Sequence, residues 1–325
     1  MGGSESTTRT ERPSAAPTLA APPPTTTAAA ARSRRWKIAL AFACVYLIWG
    51  STYLAIRYAV ATLPPFGMAG IRFVLAGAGL YAWLAARGET AGVTFRHWKG
   101  TAALGALFFL GGNGGVCWAE TRVPSGVTAL LIACVPLWIV AFDWLRPGGS
   151  KPNRWLIVGA SLGILGVGFL VSPAAAHERV DPVGALVLLL AGGSWALGTT
   201  ASRHMPRPRN HLVSTAMQMI GGGAALLLVS AMTGELTASR FDHVSGASLL
   251  ALLYLVFFGS LLGFSAYNWL LQVVPPATAG TYAFVNPGIA VLLGWAIAGE
   301  PITGRILMAG SLIVVAVALI VTRRR

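Results

Sequence analysis

The chain has 325 residues, of which 55% are hydrophobic and only 10% are charged, and its mean hydropathy is +0.67. Soluble domains carry about a quarter charged residues, so this composition excludes an ordinary soluble fold and indicates a polytopic membrane protein. The formal net charge of +14 could suggest a nucleic-acid partner. The basic residues stand at the ends of apolar segments, however, where they orient a membrane protein, and we therefore expect the lipid bilayer and no nucleic acid as the partner.

Residues 1–35 are predicted to form a disordered cytoplasmic tail. Most of this segment, from residue 1 to residue 31, is rich in Ala, Thr, Pro and Ser and shows no apolar periodicity. Such a composition cannot bury enough surface to offset the entropy cost of ordering. The tail also has no apolar core of the kind a signal peptide needs, so the first helix is expected to act as an uncleaved insertion signal.

Ten apolar segments follow the tail, and each approaches the length of about 20 residues that a membrane-spanning helix requires. They cover approximately residues 38–59, 66–86, 99–119, 124–143, 154–173, 182–202, 212–233, 247–271, 275–298 and 305–322. The last part of this pattern, 247–298, is too long for one span, and Pro275 with Pro276 would break it. The sequence therefore predicts an all-α membrane protein with ten transmembrane helices.

The same five-helix pattern occurs twice along the chain. Trp49, Arg57 and Gly77 recur 146 positions later as Trp195, Arg203 and Gly223, and Trp118, Pro124, Pro136, Arg154 and Gly159 recur 151 positions later as Trp269, Pro275, Pro287, Arg305 and Gly310. Two constant offsets indicate duplication of a unit, with repeats at residues 36–174 and 180–322. Because each unit has an odd number of spans, the second is predicted to be inverted, as in carriers that work by alternating access.

The distribution of Lys and Arg predicts the orientation. With a cytoplasmic N-terminus, 16 of these residues fall on the cytoplasmic side and five on the outside. Trp36, Trp98, Trp144 and Trp155 also fall at the predicted cytoplasmic helix ends, where an aromatic belt belongs. We therefore expect a multi-pass protein of the cell (plasma or inner) membrane with both termini in the cytoplasm.

Several segments resemble the drug/metabolite transporter superfamily, and its EamA-type branch in particular. These are WGSTYLAIR at Trp49–Arg57, IRF at Ile71–Phe73, VPSGVTALLIACVP at Val123–Pro136 and the long segment Val274–Thr303 that ends in GEPIT. The resemblance covers residues 38 to 322, and GEPIT is its most specific part. It implies a basket of ten helices that exports small metabolites, amino acids or drugs, and it leaves the substrate open.

Polar and aromatic side chains at mid-membrane are predicted to line the substrate pathway. The candidates are Trp49, Tyr53, Asn113, Trp195, Tyr267, Asn268, Tyr282 and Asn286. An apolar, aromatic wall with a few amide groups suits an uncharged or zwitterionic small molecule. The alternative for any single aromatic residue is packing between helices or contact with lipid.

Arg72 lies inside the predicted second helix, where an arginine costs at least about 2.5 kcal/mol. One interpretation is a cation that faces the central cavity and binds an anionic group of the substrate. The other is a structural arginine satisfied by backbone carbonyls or by Glu120. Its repeat counterpart is Gln218, so the second half keeps a polar group without the charge.

Pro136 and Pro287 occupy equivalent positions in the middle of the predicted fourth and ninth helices. Each removes an amide donor and so frees the carbonyl four residues earlier, at Ile132 and Ala283. In a membrane such groups are tolerated only against protein or a water-filled cavity. The prolines are therefore predicted to be either kinks that bend during gating or static kinks that shape packing.

Carboxylates are absent from the middle of the predicted spans. Carriers coupled to protons or sodium place an Asp or Glu in the pathway, and here only Glu120, followed by Glu300, is a candidate for gating or coupling. The alternative for both is a solvated charge at a helix end. Because Cys44, Cys117 and Cys134 form no CxxC motif or cluster with His, we expect no disulfide, no metal and no cofactor.

Three classes of function are compatible with a chain of this kind. An exporter of small molecules is favoured, with an importer of the same fold as the nearest rival. A membrane-embedded enzyme would need clustered His, Asp, Glu or Ser, and the five histidines instead lie in or beside loops. A sensor or scaffold would need an output domain. We expect a monomer or a weak homodimer formed through the glycine-containing fifth and tenth helices.

Overall fold

The structure is a computed structural model, and it describes residues 2, 28–145, 154–172, 180–202, 204–237, 242–274 and 281–322. Apart from turns and short connections these residues are helical, with no strand among them, so the predicted all-α class is confirmed. The helices are α1 (Ala28–Val60), α2 (Pro65–Ala86), α3 (Phe95–Gly105), α4 (Gly115–Ala119), α5 (Ser125–Ile132), α6 (Val135–Leu145), α7 (Arg154–Val171), α8 (Pro182–Ala201), α9 (His211–Met232), α10 (Gly246–Tyr254), α11 (Gly263–Val273), α12 (Tyr282–Ala298) and α13 (Gly304–Thr322). The predicted tail lies mostly outside the described residues, and its last part, from Ala28 onward, belongs to α1.

Two π-helical segments join consecutive helices without a break. The first π segment (Ala106–Gly114) connects α3 to α4, and the second π segment (Leu255–Leu262) connects α10 to α11. Both lie in the third helix of a predicted repeat. Segments of this kind are rare and occur frequently at functional sites.

Seven helical stretches of the described chain are long and apolar enough to cross a membrane. Their bounds are Arg32–Val60, Pro65–Ala86, Phe95–Ala119, Ser125–Leu145, Pro182–Ala201, His211–Met232 and Gly246–Leu270. Three further apolar helices, Ile157–Val171, Val285–Ala298 and Gly304–Leu319, are shorter, and residues outside the described ranges lie close to each of them in the sequence. The chain is therefore a multi-pass membrane protein.

Helices at equivalent positions of the two predicted repeats pack against each other within Ile38–Arg325. Helix α2 lies along α9, and α7 lies along α13. A Cβ atom added at Gly77 would lie 2.8 Å from the carbonyl oxygen of Ala216, and one added at its counterpart Gly223 would lie 2.8 Å from the amide nitrogen of Val74. Glycine at both positions thus allows α2 and α9 to approach closely, as small residues do in membrane proteins.

Carboxylate side chains tie the ends of α2 and α9 together. Glu235, just after α9, accepts hydrogen bonds from the backbone amides of Phe66 and Gly67 at the start of α2, both at 3.0 Å. Its counterpart Glu89, just after α2, accepts from the side chain of Asn210 at 2.6 Å, and Asn210 caps the start of α9. The first amides of a helix have no partner within the helix. Glu235 therefore satisfies two of them directly, whereas Glu89 holds in place the side chain that satisfies others.

The GEPIT segment forms a similar tie between α12 and α5. Gly299 ends α12 with a φ of 63°, a left-handed conformation that favours glycine. The next residue, Glu300, accepts hydrogen bonds from the amide and hydroxyl of Ser125, both at 2.8 Å, and from the amide of Gly126 at 3.0 Å. Glu300 also pairs with Arg57 and is only 7% exposed, so the interpretation of a solvated charge is wrong for it.

The two prolines have different surroundings in the structure. The predicted fourth helix is divided into α5 and α6 by a turn at Ala133 and Cys134, and Pro136 is the second residue of α6. Pro287, in contrast, lies inside α12. A proline near a helix start loses no internal hydrogen bond, whereas one inside a helix does, so the predicted equivalence of the two kinks is only approximate.

We expect Glu235→Ala to lower the thermal unfolding temperature of the purified protein in detergent. The change leaves two amides of α2 and the hydroxyl of Ser230 without their acceptor. Loss of a helix cap costs about 0.5–2 kcal/mol. Asp242→Ala is the matched control because Asp242 is exposed. Equal unfolding temperatures for both variants would show that this cap does not stabilise the fold.

Candidate functional site

A cavity of about 710 Å³ lies at the centre of the bundle. Its wall includes all eight residues predicted to line the substrate pathway: Trp49, Tyr53, Asn113, Trp195, Tyr267, Asn268, Tyr282 and Asn286. Arg72, Pro136 and Pro287 also line it, together with Ile132 and Ala283, whose carbonyls the two prolines were predicted to free. A second space, beside Glu300, measures only about 30 Å³. That volume is too small for a metabolite.

Four aromatic side chains form one wall of the cavity. The ring of Trp49 contacts the rings of Phe264, Tyr267 and Tyr282, with a centroid distance of 5.1 Å to each. Tyr267 and Tyr282 also contact each other edge to face at 5.5 Å. Rings at these distances and angles hold one another in place, so this wall offers a preformed apolar surface.

The second π segment positions two of the cavity's side chains. The carbonyl oxygen of Gly259 accepts a hydrogen bond from Nε1 of Trp49 at 3.3 Å, and the hydroxyl of Ser260 accepts one from Nε of Arg72 at 2.9 Å. A Cβ atom at Gly259 would lie 3.0 Å from Nη2 of Arg72, so the absence of a side chain there leaves room for the guanidinium. Nothing in the sequence predicts this π segment, because its residues are as apolar as those of an α-helical span.

The first π segment borders the cavity directly. Gly112 and Asn113 line the wall, and the carbonyl oxygen of Leu107 accepts a hydrogen bond from the hydroxyl of Ser194 at 2.8 Å. Because glycine destabilises a regular helix, the five-residue run GGNGG favours irregular backbone at this point. Both third helices therefore change their backbone geometry beside the cavity.

Arg72 is buried, with only 3% of its surface exposed. Besides its bond to Ser260, its guanidinium lies 4.6 Å from the centre of the Phe73 ring. It forms no ion pair with a described carboxylate, so the predicted partnership with Glu120 is not formed. Its Nη1 atom has no hydrogen-bond partner in the described structure.

The amide side chains in the cavity wall differ in the hydrogen bonds that they form within the protein. Asn268 donates to the hydroxyl of Thr215 at 2.9 Å. Asn286 is best oriented with Nδ2 facing the carbonyls of Tyr46 at 3.3 Å and Tyr282 at 3.2 Å, an assignment made from its surroundings. Asn113 has no hydrogen bond to the described residues and is therefore available to a ligand.

Gln218, the repeat counterpart of Arg72, lies away from the cavity wall. Its side chain donates to the hydroxyl of Ser214 on the same helix at 3.0 Å. The second half of the chain thus contributes no group to the cavity at this position.

One end of the cavity reaches the exposed loop between α8 and α9. Arg207 and His211 line the wall there, and both are exposed. We call this the His211 end.

Another part of the wall consists of buried apolar side chains such as Ile56 and Ala129. Ile56 adjoins Arg57, which pairs with Glu300. Ala129 lies one helical turn from Ser125, whose amide and hydroxyl donate to Glu300. We call this the Glu300 end.

Glu120 lies buried near Glu300. It is 5% exposed, and neither carboxylate oxygen has a hydrogen-bond partner in the described part of the chain. Burial, together with the nearby carboxylate of Glu300, raises the pKa of the Glu120 carboxyl well above its usual range. The interpretation of a solvated charge is therefore wrong for Glu120 as well, and its neutral form is favoured.

Comparison with known proteins agrees with this architecture. The sequence model of the EamA-like transporter family matches the chain twice, over residues 36–172 and 182–322. The uncharacterized inner membrane transporter YedA of Escherichia coli (strain K12) is 38% identical over 282 residues, which cover 86% of this chain and 89% of that protein. A probable amino-acid metabolite efflux pump of Salmonella typhimurium is 23% identical over 283 residues, covering 84% and 90% of the two chains.

A solved crystal structure matches the fold with a TM-score of 0.59 and 22% identity, covering 88% of this chain and 96% of that one. At such identity the likeness concerns the fold alone. The double match to the family model and the identity to YedA decide the class: the chain belongs to the EamA-like transporter family. It is a multi-pass membrane transporter of the drug/metabolite transporter type.

Gly263→Ala should destabilise the cavity wall. The added Cβ would overlap Nε1 of Trp49, so the indole must move and lose its bond to Gly259. Overpacking costs about 1–3 kcal/mol. This exceeds the gain of up to about 1 kcal/mol from replacing glycine by alanine in a helix.

The matched control for this substitution is Gly288→Ala, because no atom lies within 4 Å of a Cβ added there. Thermal unfolding in detergent should show a lowered temperature for Gly263→Ala and an equal or raised temperature for Gly288→Ala. The same response in both variants would contradict the close contact between Gly263 and Trp49.

Proposed function

We propose that this chain exports small organic metabolites by alternating access and that the central cavity is its substrate site. The observation that carries the proposal is the cavity of about 710 Å³, whose wall combines the aromatic residues around Trp49 with a few polar groups. Binding sites for small molecules have such volumes and such walls. The named activity of the Salmonella relative, a probable amino-acid metabolite efflux pump, agrees with this direction of transport.

The proposal includes ten spans arranged as two inverted repeats. Its support is the pair of constant offsets in the sequence, the double match of the family model, and the contacts of α2 with α9 and of α7 with α13. Glu89 and Glu235, at equivalent positions of the two repeats, make reciprocal contacts at the helix starts, which agrees with a two-fold relation between the halves. Carriers with inverted repeats bind their substrate where the repeats meet, near the middle of the bilayer.

The proposed orientation has both termini in the cytoplasm. The His211 end of the cavity then faces the cytoplasm, because Arg207 belongs to a loop that the Lys and Arg distribution assigns to that side, and His211 begins the helix that follows this loop. The Glu300 end faces the outside. In this conformation an exporter receives its substrate from the cytoplasm, whereas an importer of the same fold would release its substrate there.

Alternating access requires the Glu300 end to open. The pair of Arg57 with Glu300, and the hydrogen bonds from Ser125 and Gly126 to Glu300, join α1, α5 and the segment after α12 at this end. These contacts must separate for the cavity to open outward. We assign Glu300 the role of an external latch and Pro136 and Pro287 the role of bends that permit the movement.

Transport is the direct test of the proposed function. Purified protein in liposomes should catalyse saturable flux of one or more members of a metabolite panel, and Trp49→Ala should lower the transport rate because it removes the centre of the aromatic wall. Trp295→Ala is the matched control, because that tryptophan is 57% exposed on α12. No flux across a broad panel, or equal flux in both variants, would refute the assignment of the cavity.

The latch can be tested by chemical accessibility. A cysteine at Ile56, in a background without Cys44, Cys117 and Cys134, should react slowly with a membrane-impermeant maleimide added from outside the cell. Glu300→Ala should increase that rate at least about tenfold, because it removes the acceptor of Arg57, Ser125 and Gly126, and a hydrogen bond to a charged group contributes about 1.5–3 kcal/mol. Glu300→Gln keeps one acceptor and should give an intermediate rate.

The control for the latch is Glu89→Ala, which removes a carboxylate from the opposite side of the membrane and should leave the external rate unchanged. Retained binding of a stabilising ligand from the metabolite panel would verify that each variant is folded. An external rate that does not respond to Glu300→Ala would remove the latch from the mechanism.

A further inference from the structure

Arg72 presents an unpaired positive charge to the cavity. Its side chain is almost fully buried, it lines the cavity wall, and its Nη1 donor has no partner in the described structure. Burying a charge or a polar donor without a partner is costly, so a group that persists in this state is a candidate for binding a ligand. The cost is removed when an acceptor of opposite charge enters the cavity.

The composition of the cavity wall specifies the sign of that ligand group. The described lining residues include Arg72 on α2 and Arg207 and His211 at the His211 end, and they include no Asp or Glu. An ammonium group would therefore find no carboxylate to pair with, whereas an anion would find a guanidinium. A single buried guanidinium balances one negative charge, which favours a monoanion over a doubly charged phosphate.

The neighbours of Arg72 hold the guanidinium in place for such a ligand. Ser260 accepts from Nε, the Phe73 ring lies beneath the group, and Gly259 leaves space for Nη2. These contacts occupy one edge and one face of the guanidinium, and Nη1 is buried without a partner, so no described acceptor neutralises the positive charge. A carboxylate is a suitable acceptor, because guanidinium and carboxylate form short, charge-assisted hydrogen bonds.

We infer that the cavity recognises organic monocarboxylates, whose carboxylate binds Arg72 while an apolar or aromatic remainder lies against the wall of Trp49, Tyr267 and Tyr282. The inference rests on the proposed function, since it names the substrate class of the same cavity. It is narrower than the uncharged or zwitterionic substrate that the aromatic residues alone predicted, because Arg72 forms no ion pair with a described carboxylate.

The charge preference of the cavity can be measured without knowing the substrate. Thr52 lines the wall, and its Cγ2 atom and Nη2 of Arg72 both lie close to the position of a Cβ at Gly259, at 3.1 and 3.0 Å. A thiol in Thr52→Cys, in the background without native cysteines, therefore reports on the guanidinium. Its reaction rates with anionic sulfonatoethyl and cationic trimethylammonioethyl methanethiosulfonate are compared with those of a free thiol.

The anionic reagent should be favoured at Thr52→Cys, and Arg72→Gln should reduce this preference at least about tenfold, because a unit charge a few ångströms away acts strongly in a low-dielectric site. Arg72→Lys should retain most of it. Arg207→Gln, which removes a cation at the His211 end, is the matched control and should have a smaller effect. No anionic preference in the parent protein, or one that survives Arg72→Gln, would overturn the inference.

The substrate class is then tested with matched acids and amides. The pairs are phenylacetate and phenylacetamide, 3-phenylpropanoate and 3-phenylpropanamide, and phenylalanine and phenylalaninamide, and binding is measured by thermal shift. At least one acid should bind about tenfold or more tightly than its amide, and Arg72→Gln should abolish the difference. Phenylalanine tests whether an additional ammonium group is tolerated.

The outcomes separate this inference from the proposed function. Equal binding of acids and amides, binding of amides alone, or no binding of any acid would overturn the carboxylate assignment. Flux of neutral metabolites through the same protein, sensitive to Trp49→Ala, would still support transport through the cavity. Loss of acid binding in Arg72→Gln with unchanged binding of an amide would support both.

Discussion

In the hydrocarbon core of a membrane, a backbone N–H or C=O group has no water with which to form a hydrogen bond. Regular helices meet this constraint internally, so each helix start and each interruption needs another partner. In this protein the helix starts of α2 and α5 receive carboxylates from Glu235 and Glu300. The two π segments, the turn before Pro136 and the site of Pro287 either border the cavity or bond to side chains that line it. These interruptions thus lie where protein and solvent can satisfy the backbone.

The use of carboxylates as caps has an electrostatic consequence for the cavity. The described acids that cap or support helix starts are Glu89, Asp181, Glu235 and Glu300. A negative group is stabilised at a helix start by the helix dipole and by the free amides there, so these acids are held at the ends of helices. No described carboxylate lines the cavity, and the charge of Arg72 therefore has no counterpart there. The described wall of the cavity therefore contains the basic residues Arg72 and Arg207 and no acidic one.

The sequence was sufficient to predict the helical class, and the eight residues that it singled out for the substrate pathway all line the cavity, for a physical reason. Side chains such as Asn113 and Asn286 are too polar to face lipid, and placing them inward on membrane spans brings them to a common centre.

The hydrogen-bond partner of each polar group could not be predicted from the sequence. Glu120 and Glu300 stand near helix ends in the sequence, yet both are buried, because neighbouring helices that are distant in the chain cover them. The second π segment was missed since its residues, LVFFGSLL, are as apolar as any α-helical span.

The two halves of the chain keep a common backbone plan while their chemistry differs at corresponding positions. Arg72 corresponds to Gln218, but only Arg72 lines the cavity, and Gln218 bonds to its own helix. Pro136 follows a break between two helices, whereas Pro287 lies inside a continuous one.

A perfectly symmetric carrier would present identical groups to its substrate from both halves of the chain and would hold the substrate in a symmetric site. The single buried guanidinium in the cavity wall removes that equivalence. An anionic substrate is therefore oriented towards the α2 side of the cavity, while the aromatic wall formed by α1, α11 and α12 contacts its apolar part.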